Sequence, residues 1–183
     1  MGMMMVGMFM VMVLIFVMTI WMMVVISFPQ LWAFNLVKSE MKPLYDAAYG
    51  KDPEDWQEFG WKEKDKKEEL WADEAWYLLA RTQEGVAVAF AHFRYDMDYD
   101  DEVVYCYEIQ VEAAYRRKGL GRFMMKLLEM LCLKADMLKL MTTIFREDPR
   151  QAGFFKKALK FETDETSLED TVDQQFAYEI LCR

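Results

Sequence analysis

Tyr105-Cys106-Tyr107-Glu108-Ile109-Gln110-Val111-Glu112, followed after a two-residue spacer by Tyr115-Arg116-Arg117-Lys118-Gly119-Leu120-Gly121, decides how this chain folds. Residues 102–112 alternate as a half-buried strand does. Val103, Tyr105, Tyr107, Ile109 and Val111 are expected on one face, and Val104, Cys106, Glu108 and Gln110 on the other. From Leu120 the period changes to that of an amphipathic helix, with Leu120, Phe123, Met124, Leu127, Leu128 and Leu131 on one side and Arg122, Lys126 and Glu129 opposite. Between them, Gly119 and Gly121 let the backbone turn tightly enough for successive N–H groups to converge on an anion. The helix start adds a partial positive charge, and Arg116, Arg117 and Lys118 add full ones. A diphosphate suits such a nest. A P-loop would need Gly-Lys-Ser/Thr, but Arg122 and Phe123 follow Gly121. A dinucleotide fingerprint would need a small residue at position 124, which is Met. A basic helix cap or a nuclear-import patch are the other readings of the same residues.

Outward from this centre, residues 31–49 read as a helix with a possible kink at Pro43, and 50–55 as a turn-rich connection. A second helix is predicted over 59–71, where the run from Lys62 to Glu69 pairs opposite charges three and four apart and reads as a solvated face. Strands follow over 75–81 and 86–95, hinged at Glu84-Gly85, and 96–101 reads as an acidic loop. Beyond the central helix come a strand over 137–145, a short helix over 150–160, and final strands over 161–165 and 176–182.

The 183 residues suit one domain, and the formal net charge is −9. Residues 1–30 contain no Asp, Glu, Lys or Arg, so all of that charge sits on residues 31–183, which favours cationic partners over nucleic acid. Cys106, Cys132 and Cys182 are scattered and odd in number, which argues against a disulfide framework or a zinc knuckle. With His92 as the single histidine, a multi-histidine metal site is excluded.

Residues 1–28 form an uncharged apolar run long enough to span a bilayer as a helix. It lacks the basic start and cleavage site of a signal peptide. It reads either as a membrane anchor or, being built largely from Met, Val, Gly and Phe, as a mis-assigned start. The domain division expected is 1–30 for this segment and 31–183 for the globular body.

Arg116-x-x-Gly119-x-Gly121 resembles the acetyl-CoA loop of GNAT enzymes. Trp32-Ala33-Phe34, Phe59-Gly60-Trp61-Lys62, Ala75-Trp76-Tyr77-Leu78, Ala91-His92-Phe93-Arg94-Tyr95-Asp96, Tyr105-Cys106-Tyr107-Glu108-Ile109-Gln110 and Tyr178-Glu179-Ile180-Leu181 appear in order around it. Together they resemble the NatD type of N-alpha-acetyltransferase. The resemblance spans essentially all of residues 31–183. It implies an α+β GNAT acyl-CoA N-acyltransferase fold, with a mixed, mostly antiparallel sheet flanked by helices. It implies direct transfer of acetyl from acetyl-CoA, without a metal, to the N-terminal amine of histones beginning Ser-Gly-Arg-Gly. The same resemblance makes Glu108 the catalytic base. Ile109, Gln110 and Val111 would hold the pantetheine arm, and Arg116, Arg117, Lys118, Gly119, Leu120, Gly121 and Arg122 the diphosphate. Asp148 stands near the coenzyme where relatives carry asparagine. Tyr45, Phe59, Leu78, Tyr105, Tyr107, Thr143 and Tyr178 match peptide-holding positions, and Asp96 and Asp98 would meet the substrate arginine.

This sequence departs from the NatD pattern in three further places. The apolar run replaces a basic extension and a first strand, unless residues 22–28 supply that strand. Phe59 stands where tryptophan is usual, and residues 48–58 carry an insertion. The other function classes left open are a GNAT enzyme for another amine and a catalytically silent acetyl-CoA- or histone-tail-binding module. Expected surroundings are nucleus and cytoplasm with basic histone tails as partners, in a monomer, and a membrane only if residues 1–28 are genuine. His92 and Cys106 are expected to pack rather than to react.

Overall fold

The computed structural model describes residues 20–24, 29–168 and 176–183. One seven-stranded sheet organises them, in the order β1-β2-β3-β4-β5-β7-β6. Its strands are β1 (Ile20–Val24), β2 (Trp76–Thr82), β3 (Ala87–Asp98), β4 (Asp101–Val111), β5 (Lys139–Phe145), β6 (Glu162–Thr163) and β7 (Tyr178–Cys182). Every neighbouring pair is antiparallel except β4 and β5. The fold is the expected α+β arrangement of a mixed, mostly antiparallel sheet flanked by helices.

Helices α1 (Gln30–Tyr49), α2 (Pro53–Phe59) and α3 (Glu63–Leu70) accompany the first half of the chain. Ala33, Phe34, Leu36 and Val37 of α1 recur at helical spacing, and they bury with Trp61 and Leu70 against Leu79 and Phe90 on one face of the sheet. The opposite face is covered by α4 (Leu120–Lys134) and by α5 (Pro149–Ala152), which widens into a π-helical turn over Gly153–Ala158. There Met124, Met125, Leu128 and Cys132 pack on Ala80, Ala91, Phe93, Val104 and Cys106. Both stripes exclude water from a continuous apolar area, the dominant favourable term in folding.

The structure moves several expected boundaries. Residues 50–55 are not simply a connection, because Pro53 starts α2 and the Asp52 carboxylate accepts from the N–H groups of Glu54 (2.8 Å) and Asp55 (3.2 Å). That Asp-Pro start is a helix signal in its own right. The helix expected over 59–71 is broken at Gly60, whose extended backbone ends α2 where a Cβ would sit 2.5 Å from the Trp56 ring. The acidic loop expected at 96–101 shrinks to Tyr99-Asp100, since β3 continues to Asp98 and β4 begins at Asp101.

The sheet also reaches back into the apolar segment. Ile20–Val24 pairs antiparallel with β2, in register from Ile20 with Thr82 to Val24 with Leu78. Backbone N–H and C=O groups on the free side of β2 find partners there, which is why an edge strand forms. The division expected at residue 30 thus falls after the first strand of the sheet. Residues 1–19 and 25–28, and with them most of the expected membrane span, lie outside the described residues. Among the described residues no helix is long and apolar enough to cross a membrane.

Two irregularities shape the centre. Strands β4 and β5 pair only from Val103–Lys139 to Cys106–Thr142, after which β4 stays with β3 and β5 with β7. A wedge opens between them. Beside its apex, His92 pairs with Glu108 while Phe93 pairs with Cys106, so Tyr107 is an extra residue bulged out of β4. Past the bulge, strict alternation fails: Ile109 and Val111 join Cys106 on the α4 face. Tyr105, Tyr107, Glu108 and Gln110 share the other face, contrary to the alternation expected from sequence.

At the far end of the β3–β4 hairpin, Lys139 gathers three carboxylates: Asp164 at 3.0 Å, Asp101 at 3.2 Å and Asp98 at 3.7 Å. Asp164 is held below the usual carboxylate range: burial opposes this, but the hydrogen bonds from Thr166, Cys182 and Lys139 outweigh it. Removing Lys139 would strand the buried Asp164 carboxylate beside Asp98 and Asp101. Lys139→Met should cost about 3–5 kcal/mol of stability, read as a lower urea midpoint at unchanged slope.

Candidate active site

The face of the sheet beneath α1–α3 gathers ionisable and aromatic side chains around Glu108. Glu108 is buried on β4, and each of its carboxylate oxygens has a donor: Lys66 Nζ to Oε1 at 3.1 Å and Gln110 Nε2 to Oε2 at 3.0 Å. Lys66, from α3, also donates to both oxygens of Glu69 at 2.8 and 3.0 Å. Burial alone would lower the Lys66 pKa. The Glu108 and Glu69 carboxylates outweigh it and hold the ammonium above the usual lysine range. Burial raises Glu69 above its ordinary value, against the pull of Lys66.

Rings line the groove around this group. Tyr45 of α1 meets Phe145 edge-on at 5.0 Å and Trp61 at 5.7 Å, and burial raises its phenol pKa. Tyr105 and Tyr107 stand 4.9 Å apart, and the Tyr105 hydroxyl is hydrogen-bonded to the Thr143 hydroxyl across the start of the wedge. Tyr107 donates to Asp96 Oδ2 at 3.0 Å while its ring takes the Arg94 guanidinium at 4.6 Å. Burial, helped by Asp96, pushes the Tyr107 phenol up to about 12. A pocket bounded by Tyr45, Phe59, Trp61, Lys66 and Glu69 opens to solvent beside Glu108's ion pair.

His92 lies fully buried between the stacked rings of Tyr77 (5.3 Å) and Tyr107 (5.2 Å), and neither nitrogen has a hydrogen-bond partner. Burial, with the Arg94 and Lys66 charges adding to it, drives its pKa down to about 3, so the ring is neutral through the physiological range. Cys106 is also fully buried, and burial pushes its thiol well up, which denies it a thiolate.

The loop after β4 forms the second half of the site. Arg117 (φ 61°) and Gly119 (φ 85°) both adopt the left-handed region, and Gly119 caps α4. Alternating left- and right-handed residues turn consecutive amides toward one point. Phe123 N–H donates to Gly119 C=O at 3.0 Å as the first turn closes, so the amides of Leu120, Gly121 and Arg122 precede any helical acceptor. Gly121 lies close to its neighbour, and a Cβ there would sit 3.2 Å from the Phe154 ring, which would have to shift by a few tenths of an ångström. The Arg116 guanidinium anchors the loop, with Nε donating to Val111 C=O at 2.8 Å and a 2.7 Å bridge to Glu40 of α1. A diphosphate fits this cradle of amides. Beyond Cys106 the edge of β4 that β5 leaves open presents main-chain groups of Ile109 for an extended arm, whereas those of Gln110, two residues before the Glu112–Val88 hydrogen bond, face β3.

The expected residues do not all converge. Glu108, Tyr45, Phe59, Tyr105, Tyr107, Thr143 and Asp96 share the groove face, and Tyr178 lies within electrostatic reach of Tyr49 and Tyr105. Leu78 does not join them: its side chain packs in the core with α4, on the opposite face. Asp98 is spent on Lys139 and accepts from Thr166 at 3.3 Å. Arg116 and Val111 hold each other, and the Lys118 ammonium sits over the Tyr115 ring at 5.3 Å. Asp148 caps α5 and is matched by Arg150, whose N–H (2.9 Å) and Nε (3.3 Å) donate to it, so its charge is not left bare.

Lys66 and Glu69 are the residues that the sequence reading passed over. Their run was read as a solvated face, which holds for the exposed Lys64–Glu68 pair (84% and 66%). Lys66 and Glu69, at 12% and 28%, turn inward instead. The only signal was Leu70 one position later, marking that side of α3 as the buried one.

A family model described as the Acetyltransferase (GNAT) family matches residues 41–161. Among solved structures, the ribosomal-protein-S18-alanine N-acetyltransferase from Escherichia coli superposes with a TM-score of 0.58 at 18% identity, covering 89% of this chain and 92% of that one. Naa50 from Arabidopsis thaliana, in complex with a bisubstrate analogue, gives 0.58 at 16%, covering 90% and 98%. The PaiA N-acetyltransferase from Thermoplasma acidophilum, in complex with coenzyme A, gives 0.56 at 11%, covering 91% and 99%. At these identities the likeness is one of fold.

Proposed function

The chain belongs to the GNAT acetyltransferase family, and from that premise we propose that it acetylates protein N-termini, with histones beginning Ser-Gly-Arg-Gly (H-four and H-two-A) as substrates. Members of the family take their acetyl group from acetyl-CoA. The observation that carries the reading is the buried Glu108 carboxylate beside the β4 bulge, ringed by Tyr45, Tyr105 and Tyr107 at the point where β4 and β5 part.

An α-amine has a pKa of about 7.7–8.0, so a carboxylate reached directly or through one water is base enough to take its proton. Glu108 receives that proton. The amides of residues 117–122 hold the diphosphate, and the open edge of β4 aligns the arm that presents the thioester. The neutral amine attacks the carbonyl carbon, the carbon–sulfur bond breaks, and the proton shed by the new amide nitrogen passes to the leaving sulfur, so that coenzyme A departs as the thiol and Glu108 gives its proton to solvent. No acyl-enzyme is needed, in keeping with the raised Cys106 thiol. Tyr105 and Tyr107 hold the peptide, and Asp96 pairs with the arginine at the third substrate position through charge-assisted hydrogen bonds. Such a substrate would place the enzyme in nucleus and cytoplasm.

The test is a panel of peptides with radiolabelled acetyl-CoA. Ser-Gly-Arg-Gly should be labelled at its α-amine well ahead of peptides beginning Met or Ala and ahead of free lysine. Preference for any of those would overturn the histone assignment. Within the panel, Asp96→Asn should raise KM for Ser-Gly-Arg-Gly about tenfold with little change in kcat. An unchanged KM would remove Asp96 from the peptide site.

A further inference from the structure

We propose that Lys66 is a positioning residue for the transfer: from α3 it keeps the Glu108 carboxylate ionised and aimed into the groove, with Glu69 as its second anchor. The inference rests on Glu108 being the base, and it names a residue on an element that the proposed mechanism does not otherwise use.

Geometry comes first. Lys66 fixes one Glu108 oxygen at 3.1 Å and Gln110 the other at 3.0 Å, which sets the carboxylate plane while leaving each oxygen a second lone pair. Lys66 is itself held at 2.8 Å by Glu69, so the chain Glu69–Lys66–Glu108 runs from the solvent pocket to the base. The other groups facing Glu108 cannot replace this cation. Tyr45 from α1 is a neutral phenol, and Cys106 and Gln110 on β4 are uncharged. His92 on β3, paired with Glu108 in the sheet register, is neutral as well. Arg94 on β3 is committed elsewhere, donating to Glu69 C=O at 2.8 Å and stacking on Tyr107.

Without Lys66, Glu108 and Glu69 would be left as two carboxylates with no cation between them, and each would disfavour the charged form of the other. If Glu108 held a proton, the enzyme would lose its base until the pH rose high enough to strip it.

The experiment uses the full chain as wild type, Lys66→Met, Lys66→Gln and Lys66→Arg. The Glu108 carboxyl is followed by carbon-13 NMR titration, its signal assigned by loss in Glu108→Gln. The pH dependence of kcat for the Ser-Gly-Arg-Gly peptide and the acetyl-CoA Kd are measured alongside. In Lys66→Met the Glu108 midpoint should rise by about one pH unit or more, with the acidic limb of kcat moving by the same amount. At neutral pH kcat should fall about 10–100-fold, recovering toward high pH, with the acetyl-CoA Kd unmoved. Lys66→Arg should restore most of the wild-type profile. Should Lys66→Met fail to fold, Lys66→Gln, which keeps a hydrogen-bond donor at Glu108 without the charge, decides in its place: the Glu108 midpoint should again rise. A midpoint that stays put in either variant, or a loss of kcat equal at every pH, would overturn the proposal. If wild type labels no peptide, the functional reading fails, and the titration still tells whether Lys66 governs Glu108.

Discussion

Glu108→Gln is expected to lower kcat by about 10²–10⁴-fold, the range for losing a positioned general base. Glutamine keeps the shape of the side chain: its oxygen can accept from Lys66, and its amide N–H can donate to Gln110 Oε1 once that amide turns over, but it cannot take a proton from the incoming ammonium. Lys66 keeps its 2.8 Å partner Glu69, so no buried cation is stranded and the fold should survive. Because the α-amine deprotonates by itself above about pH 8, the deficit should narrow as pH rises through that range. Acetyl-CoA binding, which depends on the loop and the β4 edge, should be unaffected. Steady-state rates across pH, with calorimetry of acetyl-CoA on the same protein, check all three statements. Turnover close to wild type at neutral pH would remove Glu108 from the chemistry.

Gly119→Val should cripple the coenzyme site by a route that involves no lost contact. Nothing lies within 4 Å of where a Gly119 Cβ would be, so a side chain has room. What it lacks is a tolerable backbone. Gly119 sits at φ 85°, and a β-branched residue forced there costs about 1–2 kcal/mol or relaxes toward negative φ. Relaxation would swing the amides that follow away from their common point. The acetyl-CoA Kd should then rise at least tenfold, which is about 1.4 kcal/mol, with a modest fall in melting temperature. Gly121→Ala is the contrasting variant, since its Cβ would meet the Phe154 ring at 3.2 Å and press α4 off the π-helical turn. It should act mainly on stability. An unchanged Kd in Gly119→Val, measured by calorimetry, would mean that the diphosphate binds elsewhere.

The strand, the loop with Gly119 and Gly121, and α4 were legible because each rests on local periodicity or local backbone demand. The apolar stripe on α4 has to face a core whatever surrounds it. The β4 face that carries Glu108 was not legible. Alternation put Glu108 opposite Tyr105 and Tyr107, and only pairing with β3 shows that Tyr107 bulges and brings all three together. Asp98 was expected to meet a substrate arginine for a similar reason: an acidic turn looks free for that until β5 delivers Lys139 to it. The distance along the chain between Lys66 and Glu108 hides their contact in the same way.

Periodicity and the glycine loop by themselves determined the order of most elements and the tight turn into α4, since these follow from forces acting within a few residues, while the fold class and the choice of Glu108 came with the family resemblance. Only the tertiary structure decided which face each β4 side chain takes, how β4 and β5 part, which acidic groups are already neutralised, and that Lys66 stands against Glu108. Those depend on strand register and on charges brought together from distant segments, and low-dielectric burial makes such encounters strong where a linear sequence gives them no weight.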